Sequence, residues 1–266
     1  MISLPGAHAP SKPPGVILYE GASQLDGKPI VVIATGFQRR TENPKTGDMI
    51  QTWILRARVS PLRAINTGSD VSVCGDCPLR GNLETQPDGS IKNRMRACYV
   101  SVRNAPRAVF DAYRHGRYEP FVPRHLQLLR GRMLRLGSYG EPVAVPYSVW
   151  TPLVRAAAGY TGYTHQWHVG RFWRFRRLLM ASVHSSQDAQ KAQAHGWRTF
   201  RVAPAGEKPS RREFHCPASA EQGHRLTCEL CGACDGTHGN PLRASVLIWA
   251  HGSPATLGSY RRLMGS

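Results

Sequence analysis

The sequence predicts an α/β protein: a partial (β/α) barrel or parallel sheet, with an N-terminal β-hairpin and cysteine-rich, metal-binding loops. Three observations carry this reading. From residue 133 onward, short β-branched or aromatic runs alternate with helical segments, as right-handed βαβ units require. Before that, residues 29–59 hold two strand-like runs, PIVVIAT and MIQTWILRARV, on either side of NPKTGD, whose Pro, Gly and Asp mark a turn. All seven cysteines fall in two irregular stretches, 60–99 and 204–243.

Taken in order, residues 1–28 are rich in Pro, Gly and Ser and read as an extended arm. Residues 29–266 then form a single α/β domain, opening with the hairpin, which is expected to be antiparallel. The stretch 60–99 is too long for a plain connection unless something ties it down, and a metal would do so. APRAVFDAYRHG starts with proline in its first turn, repeats apolar residues at helical spacing and stops at Gly116, so it predicts a helix. Next come strand MLRLGS, helix VPYSVWTPLVRAAAG, strand YTHQW, helix GRFWRFRR, strand LLMASV, helix SQDAQKAQAHG and strand RTFRV. The arginines and rings of GRFWRFRR fit a strand nearly as well as a helix. Beyond the second cysteine stretch, ASVLIWAHG supplies the last strand.

A chain of 266 residues, 41% hydrophobic, can bury a real core. No apolar run is long enough to cross a bilayer, and residues 1–15 lack the charged-then-apolar layout of a secretory signal, so the expectation is a cytoplasmic protein without membrane contact. An odd number of cysteines, five of them in CxxC units, argues for metal binding over a disulfide framework. With 35 Lys+Arg against 17 Asp+Glu, the net charge of +18 gives a positive field that attracts polyanions, and makes nucleic acid the expected partner. Candidate contacts are Arg130 and Arg132 in RHLQLLRGRMLR, and Arg171, Trp173, Arg174 and Arg177 in GRFWRFRR: guanidinium groups for phosphates beside a ring for base stacking. Whether DNA or RNA is preferred is left open.

Cys228, Cys231 and Cys234 are spaced C-x2-C-x2-C, and Cys216, followed by Pro217, precedes them. Three thiolates at successive +3 positions match the run that bacterial ferredoxins wrap around a four-iron cluster, and a separate Cys-Pro is also ferredoxin-like, although here it comes first. A [4Fe-4S] iron–sulfur cluster is the leading cofactor and zinc the alternative, with His215, His224 or His238 able to replace a thiolate. Cys74, Cys77 and Cys98 have no obvious fourth ligand. They suit a cluster with one iron left open, a zinc completed by a histidine such as His115, or a site that borrows Cys216.

Ligands in parallel sheets bind beyond the carboxyl ends of the strands. Those ends carry Glu141, His165 and His184, with Arg201 in the fourth strand, a set suited to acid/base work or an anionic ligand and taken as the catalytic candidates.

The motifs GKPIVVIATG, KTGDMIQTWIL, CGDCPLRG, CYV, RLGSYGEPVAVP, GYTHQW, HGWRTFRV and CPAS with TCELCGACDG resemble, as a set, a family of uncharacterised proteins encoded by tailed bacteriophages. That resemblance implies a phage origin and brings no activity. A fainter similarity to radical S-adenosylmethionine enzymes rests on the (β/α) alternation, the cysteine-rich loop before it, and GEP at residues 140–142; their C-x3-C-x2-C motif is absent. The expected function is a phage-encoded iron–sulfur protein that binds or acts on nucleic acid, with redox or radical-type catalysis as one form of it. The competing expectation is a non-catalytic, zinc-stabilised DNA- or RNA-binding module.

Overall fold

In the computed structural model, which describes residues 12–41 and 43–265, the alternation of side chains along the parallel strands decides where everything else sits. Residues 1–11 of the expected arm lie outside the described residues. The rest of that arm is not merely extended. Its run GVILYEGA forms β1 (Gly15–Ala22), antiparallel to β2 (Pro29–Thr35). A β-branched and aliphatic core inside a Pro- and Gly-rich stretch was enough to make a strand. β2 pairs antiparallel with β3 (Ile50–Arg56), Ile33 opposite Trp53, as the hairpin reading expected.

The first cysteine stretch carries α1 (Pro61–Thr67), α2 (Val71–Cys74) and a small antiparallel ribbon of β4 (Asn82–Thr85) and β5 (Ile91–Arg94). The predicted helix follows as α3 (Ala105–Arg114), then the short β6 (Glu119–Pro120). The alternating half supplies β7 (Met133–Tyr139), α4 (Tyr147–Ala156), β8 (Gly159–Thr164), β9 (Met180–Val183), α5 (Ser186–Ala194) and β10 (Thr199–Ala203). β11 (Glu213–His215), α6 (Cys228–Cys231), β12 (Ser245–Trp249) and α7 (Pro254–Met264) complete it. Two elements differ from expectation. β8 ends at Thr164, so His165 stands just past the strand, and residues Gly170–Arg177 form a 3-10 helix.

Ten strands make one mostly parallel sheet in the order β11-β12-β10-β9-β8-β7-β3-β2-β1-β6. β11 and β6 are its edges. Successive side chains of a strand point to opposite faces, and here the two faces have different company. Leu134 and Leu136 of β7 and Ala181 and Val183 of β9 join the main core with Trp150, Leu153, Phe172 and Phe175 of the helical layer. The intervening residues, Arg135 of β7, Tyr163 of β8, Ser182 of β9, Phe200 of β10 and Val246 of β12, face the cysteine-bearing loops.

Candidate metal centre

All seven cysteines line one cavity of ≈ 350 Å³ on that second face. None is in a disulfide. The loops that bring them there are fixed by backbone hydrogen bonds to the sheet and to each other. Cys216 N–H donates to Leu247 O of β12 (2.8 Å) and Gly162 N–H of β8 to Cys234 O (3.0 Å). The Cys228 turn docks on the loop between β2 and β3: Cys228 N–H donates to Lys45 O (2.9 Å) and Asp48 N–H to Glu229 Oε2 (2.7 Å). Gly236, at φ +76°, lets the chain after Cys234 pass against the backbone of Arg177, which a Cβ would meet at 2.7 Å. In the first stretch, Cys98 N–H donates to Leu79 O (2.9 Å). Glu141 N–H donates to Val73 O (2.6 Å), which ties the Cys74 turn to the end of β7. Gly140 permits that approach: φ is +88°, and a Cβ would lie 2.8 Å from Ile54.

The cysteines divide as four and three. Cys216, Cys228, Cys231 and Cys234 influence one another electrostatically, and so do Cys74, Cys77 and Cys98. Burial raises the thiol pKa of Cys74, Cys98, Cys228 and Cys234, and takes Cys216 to about 11. Left to themselves such thiols stay protonated. A bound metal charge is what would make them thiolates.

Two cations stand in the wall at the four-cysteine end. Arg135 is 8% exposed, donates to Tyr99 Oη (2.8 Å) and lies 5.7 Å from the Tyr163 ring centroid. Lys45 Nζ is 2.7 Å from His251 Nε2, and burial lowers its pKa. Among the described residues neither forms an ion pair with a carboxylate, so two positive groups face the cavity beside the four sulfurs. Arg135 is the buried one, and a buried cation without an ion-pair partner carries a cost that an anionic occupant would remove; Lys45 is half-buried and also feels the Glu221 carboxylate.

The three-cysteine end meets the strand termini. Glu141 Oε1 accepts from both the backbone N–H and Nδ1 of His165, each at 3.0 Å. Cys77 lies within hydrogen-bonding reach of the same ring. Burial pulls the His165 pKa down, but Cys77 and Glu141 outweigh it and hold the ring well above the ordinary histidine range. Tyr139 Oη, Glu141 Oε2 and Thr161 Oγ1 also belong to this wall, and each is a buried atom with no partner among the described residues.

Of the four catalytic candidates, Glu141 and His165 therefore share the cavity with the cysteines, and His184 stands one layer behind. His184 Nε2 is 3.3 Å from His165 Nε2 and the rings stack 5.4 Å apart; burial, then His165, push its pKa down to about 3. Arg201 is elsewhere. On β10 it has the phase of Thr199 and Ala203, away from the cavity, and is gripped by Glu213 (2.7 Å) and Glu207, so it has no free valence for a ligand. His115 is exposed and occupied at its own helix end, where Nδ1 is 2.6 Å from Asp111 O.

The candidate polyanion contacts also separate. Arg132 is committed to Asp48 (3.0 Å), and Trp173 is stacked on His195 with centroids 4.6 Å apart, so neither stands ready for phosphate or base. Arg130 is exposed. So are Arg171, Arg174 and Arg177, which recur every three residues on the 3-10 helix while Phe172, Phe175 and Leu178 are buried. Side chains at i and i+3 eclipse in such a helix, which makes the arginines a single row.

Lys45, Tyr99 and Tyr163 were not among the sequence candidates, and Arg135, the last residue of the basic run RHLQLLRGRMLR, was expected on a polyanion-binding surface and not in this cavity. A charged residue inside MLRLGS was the signal for Arg135. Lys45 reaches the site through a contact between distant loops and left none.

Among the described residues, no three His, Cys, Asp or Glu side chains converge closely enough to hold a single metal ion, and no helix is long and apolar enough to cross a membrane. Comparison with protein-family models, curated proteins and solved structures gives no match to this chain.

Proposed function

We propose that this chain is a phage-encoded iron–sulfur protein of the host cytoplasm, in which Cys216, Cys228, Cys231 and Cys234 hold a four-iron cluster, and that it serves redox or radical-type chemistry while its basic exterior engages nucleic acid. One observation carries the reading: the cysteines line a shared cavity whose wall also supplies the buried Arg135, which forms no ion pair with a carboxylate among the described residues, and the half-buried Lys45. A cavity of ≈ 350 Å³ is more than ten times the ~30 Å³ share of a liquid water. The half of the sheet that carries them is open and parallel.

When bound, the cluster would supply one-electron chemistry. The chain's own residues do the rest. Arg135 and Lys45 offset the negative charge of the ligated sulfurs, and Tyr163, hydrogen-bonded to Cys234, adds a donor to them. Phe200, Val202, Val246 and Ile248 keep water from that side of the cavity. Glu141 fixes the orientation of the His165 ring. The visible absorption of the anaerobically purified full chain tests this. It should be bleached by dithionite and absent in Cys228→Ala/Cys234→Ala; a colourless wild type with one equivalent of zinc overturns it.

The zinc-stabilised module is a second reading with one observation in its favour: Cys228 and Cys231 open and close a single helical turn, α6, which puts two thiols on one side of a small site.

A further inference from the structure

The four-cysteine group has an assignment; Cys74, Cys77 and Cys98, which line the same cavity, have none. Two of these three belong to one tight turn. Cys74 closes α2, Cys77 stands just before the 3-10 helix Pro78–Arg80, and Cys77 N–H donates to Cys74 O at 3.2 Å. A turn closed by such an i to i+3 bond holds its end Cα atoms within about 7 Å, and a disulfide joins Cα atoms about 4.4–6.8 Å apart. Gly75 gives the turn its form: at φ +58° and ψ −136° it takes the first central position of a type II′ turn, which a side chain with a Cβ resists.

The turn is held from both sides. Cys74 N–H donates to Asp70 O (2.8 Å) and Gly75 N–H to Val71 O (2.8 Å), while Arg80 Nη2, beyond the turn, donates to the buried Asp70 carboxylate at 2.6 Å. A Cβ on Gly75 would lie 2.5 Å from Gln166 Nε2, so the loop after β8 packs directly on it. The two thiols are thereby kept side by side, which makes the second step of a thiol–disulfide exchange intramolecular. Both are free, half-buried and in the cavity wall, where a small molecule reaches them. Cys98 approaches through its own backbone bond to Leu79 O (2.9 Å), from a separate segment. A CxxC turn beside βαβ units is an arrangement suited to exchange chemistry.

We infer that Cys74 and Cys77 are a redox-active dithiol that exchanges with low-molecular-weight disulfides entering the cavity. The Cys77 thiolate attacks one sulfur of a disulfide R–S–S–R, forms a mixed disulfide and expels RS⁻, which takes up a proton. Cys74, a thiol whose pKa burial raises, then attacks Cys77 Sγ, expels the second RS⁻ and gives up its proton to it. One R–S–S–R becomes two R–SH, the dithiol becomes a Cys74–Cys77 disulfide, and excess thiol reverses the reaction. This two-electron couple goes beyond the cluster reading and stands whether iron or zinc occupies the four-cysteine end.

The test equilibrates the full-length, anaerobically purified protein in glutathione buffers of graded disulfide-to-thiol ratio, followed by acid quench, alkylation and trypsin. Residues 64–80 form one tryptic peptide that holds Cys74 and Cys77 and no other cysteine. Both alkylation sites should be lost from that peptide as the ratio rises, leaving a mass two hydrogens below the free dithiol, and should return as the ratio falls. Cys98→Ser should behave as wild type, and Cys74→Ser should stop at the mixed disulfide, with one glutathione on Cys77. A peptide that stays doubly alkylated at the most oxidising ratio, a bridge to Cys98 in its place, or a link that excess thiol does not reverse overturns the inference. Iron and zinc content reports on the four-cysteine end separately, so either proposal can fail without the other.

Discussion

Glu141, two residues past the end of β7, and His165, one residue past the end of β8, meet across 3.0 Å at the mouth of the cysteine cavity. Adjacent parallel strands deliver these side chains to one place although 24 residues separate them in the chain. Conversion of Glu141 to Gln removes the charge that orients His165 while keeping its size. Glu141 is one of the two groups that raise the His165 pKa, so Glu141→Gln should lower it, and an NMR titration of the His165 ring checks the direction.

Arg135 gives a second test. A cation beside a cluster favours its more negative, reduced state, so Arg135→Met should lower the potential of the four-cysteine cluster. Two unit charges about 5 Å apart at an effective dielectric of about 20 interact by about 3 kcal/mol, which for one electron is on the order of 100 mV. Spectroelectrochemical titration reads the shift; an unchanged or raised potential would place Arg135 away from the cluster.

The Arg201–Glu213 pair should behave as structure and not as catalysis. Both side chains are nearly inaccessible, at 2% and 1% exposure. Burial raises the Glu213 pKa, but Arg201 and the Ser210 backbone outweigh it, and the net shift is downward. A carboxyl whose folded pKa lies below its unfolded value of about 4.3 contributes stability that is complete above that value and is lost as pH falls through the folded one. Glu213→Gln should therefore cost about 3 kcal/mol at neutral pH, at the lower end for a broken buried pair because Glu207 still faces Arg201. The deficit should shrink on acidification below about pH 4. Thermal melts across pH check both, and a deficit that grows in acid would contradict the pairing.

On the outer face, Arg174 lies in the exposed row with Arg171 and Arg177, 4.0 Å above the Tyr147 ring. Arg174→Glu should weaken binding of single-stranded nucleic acid and reduce the salt slope of log K by about 1 or more, because at least one phosphate contact is lost. Arg132→Met should leave that slope unchanged and act on stability instead, since its partner is Asp48. Fluorescence anisotropy over a salt series distinguishes the two.

Much of this was legible in the sequence. Each βαβ unit announced itself through alternating periods, and the strand-end rule brought Glu141 and His165 together correctly, because both depend on local order and on the handedness of crossovers. Arg201 failed for a reason that was also local: one residue of phase along a strand decides which face a side chain takes, and Phe200 and Val202 have the cavity phase. β1 was missed because Pro and Gly around GVILYEGA outweighed the run itself. Lys45 and Tyr99 could not have been found, since both enter the site by contacts between loops distant in sequence, which leave no periodicity.

The account stands most directly on the metal content of the anaerobically purified wild-type chain, measured as iron, acid-labile sulfide and zinc per polypeptide. One four-iron cluster predicts about four iron and four sulfide per chain with no stoichiometric zinc. Zinc at one or two equivalents, with neither iron nor sulfide, would contradict it.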